Sequence, residues 1–353
     1  MGSTPKGISA SRGAAVLGLS EFQTPFEVFQ RIMEECEPGW NAAHGYALPP
    51  EPDSAAIRWG TAFEDAVVEL AERKQGREIV SREVFFSLNE KSCGNEFYYV
   101  TCHIDGQYKY DGSTVLHEGK TTSAMAFREK WGEPGTDHIP QIYQVQVQHQ
   151  MLCTGAEEAI VSVLVFPETP DKWEAMGWVV LKSDGEIMQF NEDGIYKKSR
   201  QISKWASVLA DMGYFHQYPV RANLEAQRKI AEAYREFWDR HVLTGVPPEP
   251  RNYDDIKRLC PEPKSTIIVP DYISRKIEEY KGITEEASRS TKRKERLKTI
   301  ITGYAATHTG IEDDESKEAV IFRSAHGEKL ASWSRVKSRA LTFRCSGSKE
   351  DKA

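Results

Sequence analysis

The chain of 353 residues is long enough to bury a substantial core, and 39% hydrophobic with 28% charged residues is the balance of a soluble protein. No apolar run approaches the ~20 residues of a transmembrane span, the N-terminus has no signal-peptide core, and the six cysteines form no Cys-x-x-Cys pair. These features point away from membrane, disulfide-rich and zinc or iron–sulfur classes and toward a reducing cytoplasm, while a net charge of −7 limits any polyanion contact to local basic patches.

A short helix is expected after Ser11. Thr24-Pro25 followed by Glu27 carries capping-box and proline-start signals for a second helix to about Glu35, and residues 36–52 read as loop. Ala56, Trp59 or Phe63, Val67 and Leu70 then recur at helical spacing, with Asp53 or Ser54 as N-cap and Gly76 as stop. Gly60 inside that helix costs about 1 kcal/mol relative to alanine, so another backbone is expected to approach closely there. Glu64 follows one turn later on the same face.

Strands are expected near 78–88, 97–105 and 114–120. Glu118 and Lys120 point to the same face of the last of these, and pairing as a hairpin brings Asp105 within reach of Glu118. Two close carboxylates repel unless a cation lies between them, and hard oxygen donors suit Mg²⁺ or Mn²⁺. Lys120 on that face is placed to orient or activate a water, or to offset charge on a phosphate. Asp111 competes for the hairpin carboxylate, but Asp111-Gly112 reads as a tight turn, which favours Asp105.

Residues 140–154 read as a helix with Pro140 in its first turn and Gly155 as its stop. Tyr143, Gln146 and Gln150 share one face, while Gln144 and Gln148 fall on another and are expected in solvent. Two β-rich runs, 159–166 and 178–181, are expected to complete a mixed central sheet. From about 193 to 245 the chain reads as helices, one running from an Asn223 N-cap to Leu243 with Ile230, Tyr234, Phe237 and Trp238 as a core stripe. Lys120, Arg128 and Lys130, or Lys197, Lys198, Arg200 and Lys204, are basic groups able to line one face, although such runs are more commonly solvated. The domain expectation is a core over 1–250 and an accessory region over 266–353, separated by a proline-containing stretch. The accessory region reads as a long polar helix over 271–306, carrying Lys292-Arg293-Lys294, and a β-meander with strands near 318–323, 328–332 and 340–345 turned at His326-Gly327.

Helix Gly-x-x-x-Glu, strand Asp-Gly, strand Glu-x-Lys and helix Tyr-x-x-Gln-x-Gln, in that order, resemble the lambda-exonuclease-like, YqaJ-type viral recombinase nucleases of the PD-(D/E)xK superfamily. The openings Gly7-Ile8-Ser9-Ala10-Ser11-Arg12-Gly13 and Thr24-Pro25-Phe26-Glu27 are similar to that family's, and the likeness spans about residues 6–182. The resemblance implies an α/β (α+β), restriction-endonuclease-like core, a mixed sheet flanked by helices, with the helical and small β extension after it. It implies a Mg²⁺-dependent deoxyribonuclease, typically a 5′→3′ exonuclease on double-stranded DNA ends, with Mn²⁺ as a substitute. Glu64, Asp105, Glu118 and the Gly119 carbonyl would ligate metal, and Lys120 would be the catalytic lysine. Gln146, with Tyr143, would support the attacking nucleophile or scissile phosphate; Ser9, Ser11 and Arg12 would lie near the DNA backbone or the 5′-phosphate. The family's basic residue before the first motif is matched only loosely by Lys6, which leaves phosphate selectivity open. Implied partners are a single-strand-annealing protein and further copies of the chain, which in this family can encircle DNA. A structure- or sequence-specific endonuclease and a catalytically silent DNA-end-binding module are the alternatives on the same core.

Overall fold

The computed structural model describes residues 7–88, 97–110, 113–181, 185–259, 270–307, 319–323, 329–335 and 341–345. The chain divides into two compact units, Met1–Pro263 and Lys264–Ala353. The first begins with β1 (Ile8–Ser9) and α1 (Ala10–Val16), then α2 (Pro25–Cys36), whose start is the capping box read in the sequence. Thr24 accepts from the Glu27 N–H at 3.1 Å and the Glu27 carboxylate accepts from the Thr24 N–H at 2.9 Å, so two orphan donors are satisfied reciprocally. The stretch expected as loop holds a short α3 (Trp40–Ala43). α4 (Ala55–Gln75) starts at a Ser54 cap and stops at Gly76, where φ of 61° favours glycine.

Five strands follow: β2 (Ile79–Val80), β3 (Val84–Ser87), β4 (Val100–Ile104), β5 (Gly106–Tyr110) and β6 (Ser113–Ser123). Then come α5 (Ala124–Lys130), α6 (Gln141–Thr154), β7 (Glu158–Phe166), α7 (Pro170–Ala175), β8 (Trp178–Leu181), β9 (Glu186–Phe190) and β10 (Tyr196–Gln201). α8 (Ile202–Asp211), β11 (Phe215–Arg221), α9 (Leu224–Phe237) with a π-helical turn over Trp238–Val242, and α10 (Tyr253–Leu259) complete the unit.

The central sheet has the order β11-β7-β6-β5-β2 and is mixed, as expected. β6 and β7 run parallel across the α5–α6 crossover; the other neighbours are antiparallel. Side-chain alternation splits the core: Leu116, Val161 and Val163 pack in one cluster with residues of α1, α2, α6 and α9, whereas Val115, Leu164 and Phe166 pack in a second with residues of α4, α7 and α8. Helices therefore cover both faces of the sheet, and β6 carries α6-facing and α4-facing residues in turn.

Three expectations are corrected. The strand expected over 97–105 forms β4, which joins β1 and β3 in a separate sheet, and it is β5 that pairs with β6 as the hairpin. The run 178–181 forms β8 but joins β9 and β10 in a separate three-stranded sheet. The stretch expected as helical from about 193 contains β10 and β11, and it is β11 that completes the central sheet. Pro219 in β11 reads as a strand breaker, yet β11 is an edge strand, where a missing N–H is tolerated. No helix among the described residues is long and apolar enough to cross a membrane.

The second unit has α11 (Asp271–Thr307) and an antiparallel meander of β12 (Ala319–Arg323), β13 (Lys329–Arg335) and β14 (Leu341–Cys345). The expected His326-Gly327 turn, Lys6 and the Asp111-Gly112 turn lie outside the described residues.

Candidate active site

The site is built on the β5–β6 hairpin. Gly106 opens β5 opposite His117, where an added Cβ would come within 2.1 Å of Ile79 Cγ2, so this turn into the strand needs a glycine. Asp105 precedes it and reaches across to β6, its Oδ2 accepting from the Gly119 N–H at 2.7 Å. Burial, reinforced by the charge of Glu118, pushes the Asp105 carboxyl up to about 7.

Glu118 is 1% exposed and sits on the α6-facing side of β6. Its Oε1 takes an ion pair from Lys120 and a hydrogen bond from Gln146 Nε2 at 2.5 Å; its Oε2 accepts from Gln150 Nε2 at 2.6 Å. Spacing on both elements dictates this: positions 118 and 120 share a strand face, and 146 and 150 share a helix face. The Lys120 ammonium lies 5.1 Å from the Tyr143 ring centroid, a cation–π contact that closes the group. Burial works against the charge of Lys120, but Glu118 and Asp105 outweigh it, and its pKa rises above the usual lysine range. Lys120 is thus held as a cation beside the two carboxylates, suited to offsetting phosphate charge.

Glu64 is half-buried on α4, and its pKa is raised by burial, then by Glu83 and Asp65, with a contribution from Glu118. It shares no hydrogen bond with Asp105 or Glu118. Its helix comes close to β6 through Gly60, where an added Cβ would lie 3.2 Å from Thr121 Oγ1. The close neighbour is thus a side-chain hydroxyl and not the backbone that was expected. Ser81 and Glu83, with φ of 55° and 54°, hold a left-handed turn that brings Arg82 onto Asp65 and Glu83 into the surroundings of Glu64.

Among the described residues, no three His, Cys, Asp or Glu side chains are drawn together as ready metal ligands. The donor chemistry nonetheless fits a divalent cation. Asp105 and Glu64 both resist ionisation beside Glu118, and all three are hard oxygen donors.

The other predicted residues lie elsewhere. Ser9 and Ser11 share a hydrogen bond of 3.0 Å, and Arg12 is gripped by Glu35 and by the Gly7 carbonyl. None of the three bonds to the Asp105–Glu118 group. Gln148, expected in solvent, is 5% exposed: its amide donates to the Arg221 carbonyl and its oxygen accepts from the Asn223 N–H and Gln227, tying α6 to the start of α9. Gln150's grip on Glu118 is the contact sequence reasoning underweighted, although its position on the Gln146 face signalled it. His117 was missed outright. It is 0% exposed, on the α4-facing side of β6, with neither ring nitrogen hydrogen-bonded, and burial followed by Arg82 and Lys120 pushes its pKa down to about 3.

Residues 3–157 match the family model of the YqaJ-like viral recombinase domain. The chain is 28% identical over 162 residues to the uncharacterized protein YqaJ of Bacillus subtilis (strain 168). That alignment covers 45% of this chain and 44% of YqaJ, so the match spans less than half the length of this relative. Among solved structures, LHK-Exo in complex with dAMP aligns with a TM-score of 0.41 at 13% identity, covering 72% of this chain and 93% of that one. The alkaline exonuclease LHK-Exo from Laribacter hongkongensis aligns with a TM-score of 0.43 at 12% identity, covering 69% and 90%. A phage related exonuclease from Haemophilus somnus 129PT gives 0.37 at 9%, covering 68% and 96%. The resemblance carried by the sequence motifs is borne out over residues 3–157.

Proposed function

We propose that this chain, whose residues 3–157 carry a YqaJ-like viral recombinase domain, is a Mg²⁺-dependent deoxyribonuclease acting as a 5′→3′ exonuclease on double-stranded DNA ends, with Mn²⁺ able to substitute. The observation that carries this reading is the convergence on Glu118. A nearly fully buried carboxylate is held between Lys120 and two glutamines of α6, with Asp105 across the hairpin. A solvated surface ion pair needs none of this enclosure.

Glu64, Asp105, Glu118 and the Gly119 carbonyl are the groups to hold the cation, which when bound supplies electrophilic charge at the phosphate and a more acidic attacking water. Lys120, kept protonated by its two carboxylate neighbours, offsets the charge that grows on the phosphate. Gln146 and Gln150 fix the rotamer of Glu118 and leave it no freedom to turn away. Tyr143 holds the Lys120 head in place through its ring.

One observation favours keeping the endonuclease reading as second. Arg12, the candidate 5′-phosphate contact, is bound up with Glu35. Linear and closed circular duplexes of one sequence, with 5′-phosphate or 5′-hydroxyl ends and with Mg²⁺ or EDTA, separate the cases. The exonuclease reading expects Mg²⁺-dependent loss of the linear forms alone. Nicking of the circle moves the assignment to an endonuclease, and binding without hydrolysis moves it to a silent end-binding module.

A further inference from the structure

Around α7 and along α9, exposed cations stand beside acids one helical turn away, as in Lys172–Glu168, Lys229–Glu225 and Arg228–Glu232. The basic run through β10 and the start of α8 is different. Lys197, Lys198, Arg200 and Lys204 are all exposed, and none of them forms an ion pair with a described residue. Uncompensated positive charge is thus gathered on one patch of a chain whose net charge is −7. Two of the four are held in place by aromatic rings. The Lys198 ammonium lies 5.4 Å from the Trp178 ring centroid, and the Arg200 guanidinium lies 5.2 Å from Trp178 and 5.4 Å from Trp205. Alternation explains this: 198 and 200 share a face of β10, and Gln189 and Trp178 align with Lys198 across the sheet.

The same cations border a trough of about 750 Å³ between β10 and α8. Arg200 and Lys204 line it together with Trp205, Val208 and Met212, and the last two are 53% and 64% exposed. Positions 204, 208 and 212 form one row along α8, so a cation leads into an apolar floor. Glu186 is the one carboxylate among the residues lining the trough. Leu209, also in the lining, packs in the α4 cluster, whereas Glu118 faces α6, and the two sites share no residue. Cations that follow phosphates, beside an aromatic and apolar floor that takes unpaired bases, are what an extended single nucleic-acid strand requires. A duplex keeps its bases stacked inside and cannot fill the trough. A peptide added to the β10 edge is disfavoured, because a register shift between Tyr196 and Lys198 and the edge lysines are features that stop an edge strand recruiting another.

We propose that the β10–α8 trough is a second DNA-contact site that takes one unpaired DNA strand, its phosphates on Lys197, Lys198, Arg200 and Lys204 and its bases against Trp205, Val208 and Met212. In naming DNA the inference rests on the nuclease reading, since removing one strand of a duplex leaves the other unpaired. The binding itself needs neither metal nor the Glu118 group.

The test uses the full-length protein in EDTA with fluorescein-labelled oligothymidylate, read by fluorescence anisotropy over a salt series, beside labelled linear duplex and labelled oligoglutamate. Wild type is expected to bind oligothymidylate. In Lys198→Gln/Lys204→Gln that affinity is expected to fall at least about tenfold, with a log–log salt slope shallower by about 0.7 for each lysine removed. Met212→Glu is expected to weaken the same binding at least about threefold, and duplex affinity to change by less than about twofold in both variants. The control Lys172→Gln/Lys229→Gln, outside the trough, is expected to change oligothymidylate affinity by less than about twofold. All these positions are exposed, so melting curves should match wild type; if Lys198→Gln/Lys204→Gln does not fold, Lys197→Gln/Lys204→Gln takes its place. Undiminished binding in the trough variants overturns the proposal, and equal weakening in the control reduces the effect to bulk charge and overturns it too. Oligoglutamate bound more tightly than oligothymidylate makes the trough a peptide dock instead. Wild type that binds no single strand yet cleaves linear duplex with Mg²⁺ overturns this site and leaves the Glu118 reading standing; the reverse pair of results does the opposite.

Discussion

α4 and α6 flank the same stretch of β6 from opposite faces, yet they are built by opposite rules. α4 buries Trp59, Phe63, Ala66, Val67, Leu70 and Ala71 in a regular apolar stripe, with its caps where the sequence marks them. α6 buries Gln148, His149 and Gln150 alongside Val145, Val147 and Met151, so its polar residues do not mark its solvent face. α4 is held by burial of apolar surface, and α6 by satisfied hydrogen bonds inside the core. The difference teaches where the chemistry lies: the helix that breaks the amphipathic rule is the one whose side chains clamp Glu118.

The comparison predicts that α4 responds to lost volume and α6 to lost hydrogen bonds. The largest effect is expected on α4. Trp59 is fully buried, stacked on Phe63 and packed edge-on against Phe166 and at a tilt against Trp173, so Trp59→Ala should cost about 3–5 kcal/mol in denaturant unfolding. A loss under 1 kcal/mol would mean this core is not packed as described.

On α6 the next effect is set by pH. His149 donates from Nε2 to the Thr101 carbonyl at 3.0 Å and accepts at Nδ1 from the Tyr234 hydroxyl at 3.1 Å, and burial pushes its pKa down from 6.5 to about 4. The unfolded chain takes up a proton below pH 6.5 that the folded chain refuses until about pH 4. Stability from this group is therefore complete above that window and falls by roughly 3 kcal/mol as pH drops through it. Urea midpoints between pH 7 and 4, measured in EDTA, should show a shallower acid loss in His149→Gln than in wild type; parallel curves would contradict the buried neutral imidazole.

Gln148→Leu comes next. It strands the Arg221 carbonyl and the Asn223 N–H, at a cost of about 1–3 kcal/mol with no change in core volume large enough to explain it. Smallest is Gly60→Ala. The gain in helix propensity of about 1 kcal/mol is offset by the 3.2 Å approach to Thr121 Oγ1, and the net change in melting should be small.

The sequence made the element ends legible wherever local chemistry decides them. Thr24, Pro25 and Glu27 cap α2, Ser54 and Gly76 bound α4, and Gly155 ends α6. The shared face of Glu118 and Lys120 was legible as well, from period-two alternation alone, but the pairing was not: the strand expected to end at 105 joins β1 and β3, and β5 pairs with β6. What stayed hidden depends on tertiary neighbours. β11 was hidden in a stretch read as helical, since nothing local announces an edge strand that carries a proline, and β8 gives no local sign of which sheet it will join. Gln148 looked solvated because the start of α9, which satisfies it, lies some seventy-five residues away in the chain. Nothing local marked His117, because only the fold buries it on the α4-facing side of β6.

The central claim, that the group around Glu118 carries out phosphodiester hydrolysis, is tested most directly by Glu118→Ala and Lys120→Ala. Each would be assayed with Mg²⁺ on linear duplex DNA beside a melting curve that verifies the fold. Loss of cleavage by at least about 10²–10³-fold in both variants, with the fold retained, is the predicted result. Full activity in both would contradict it.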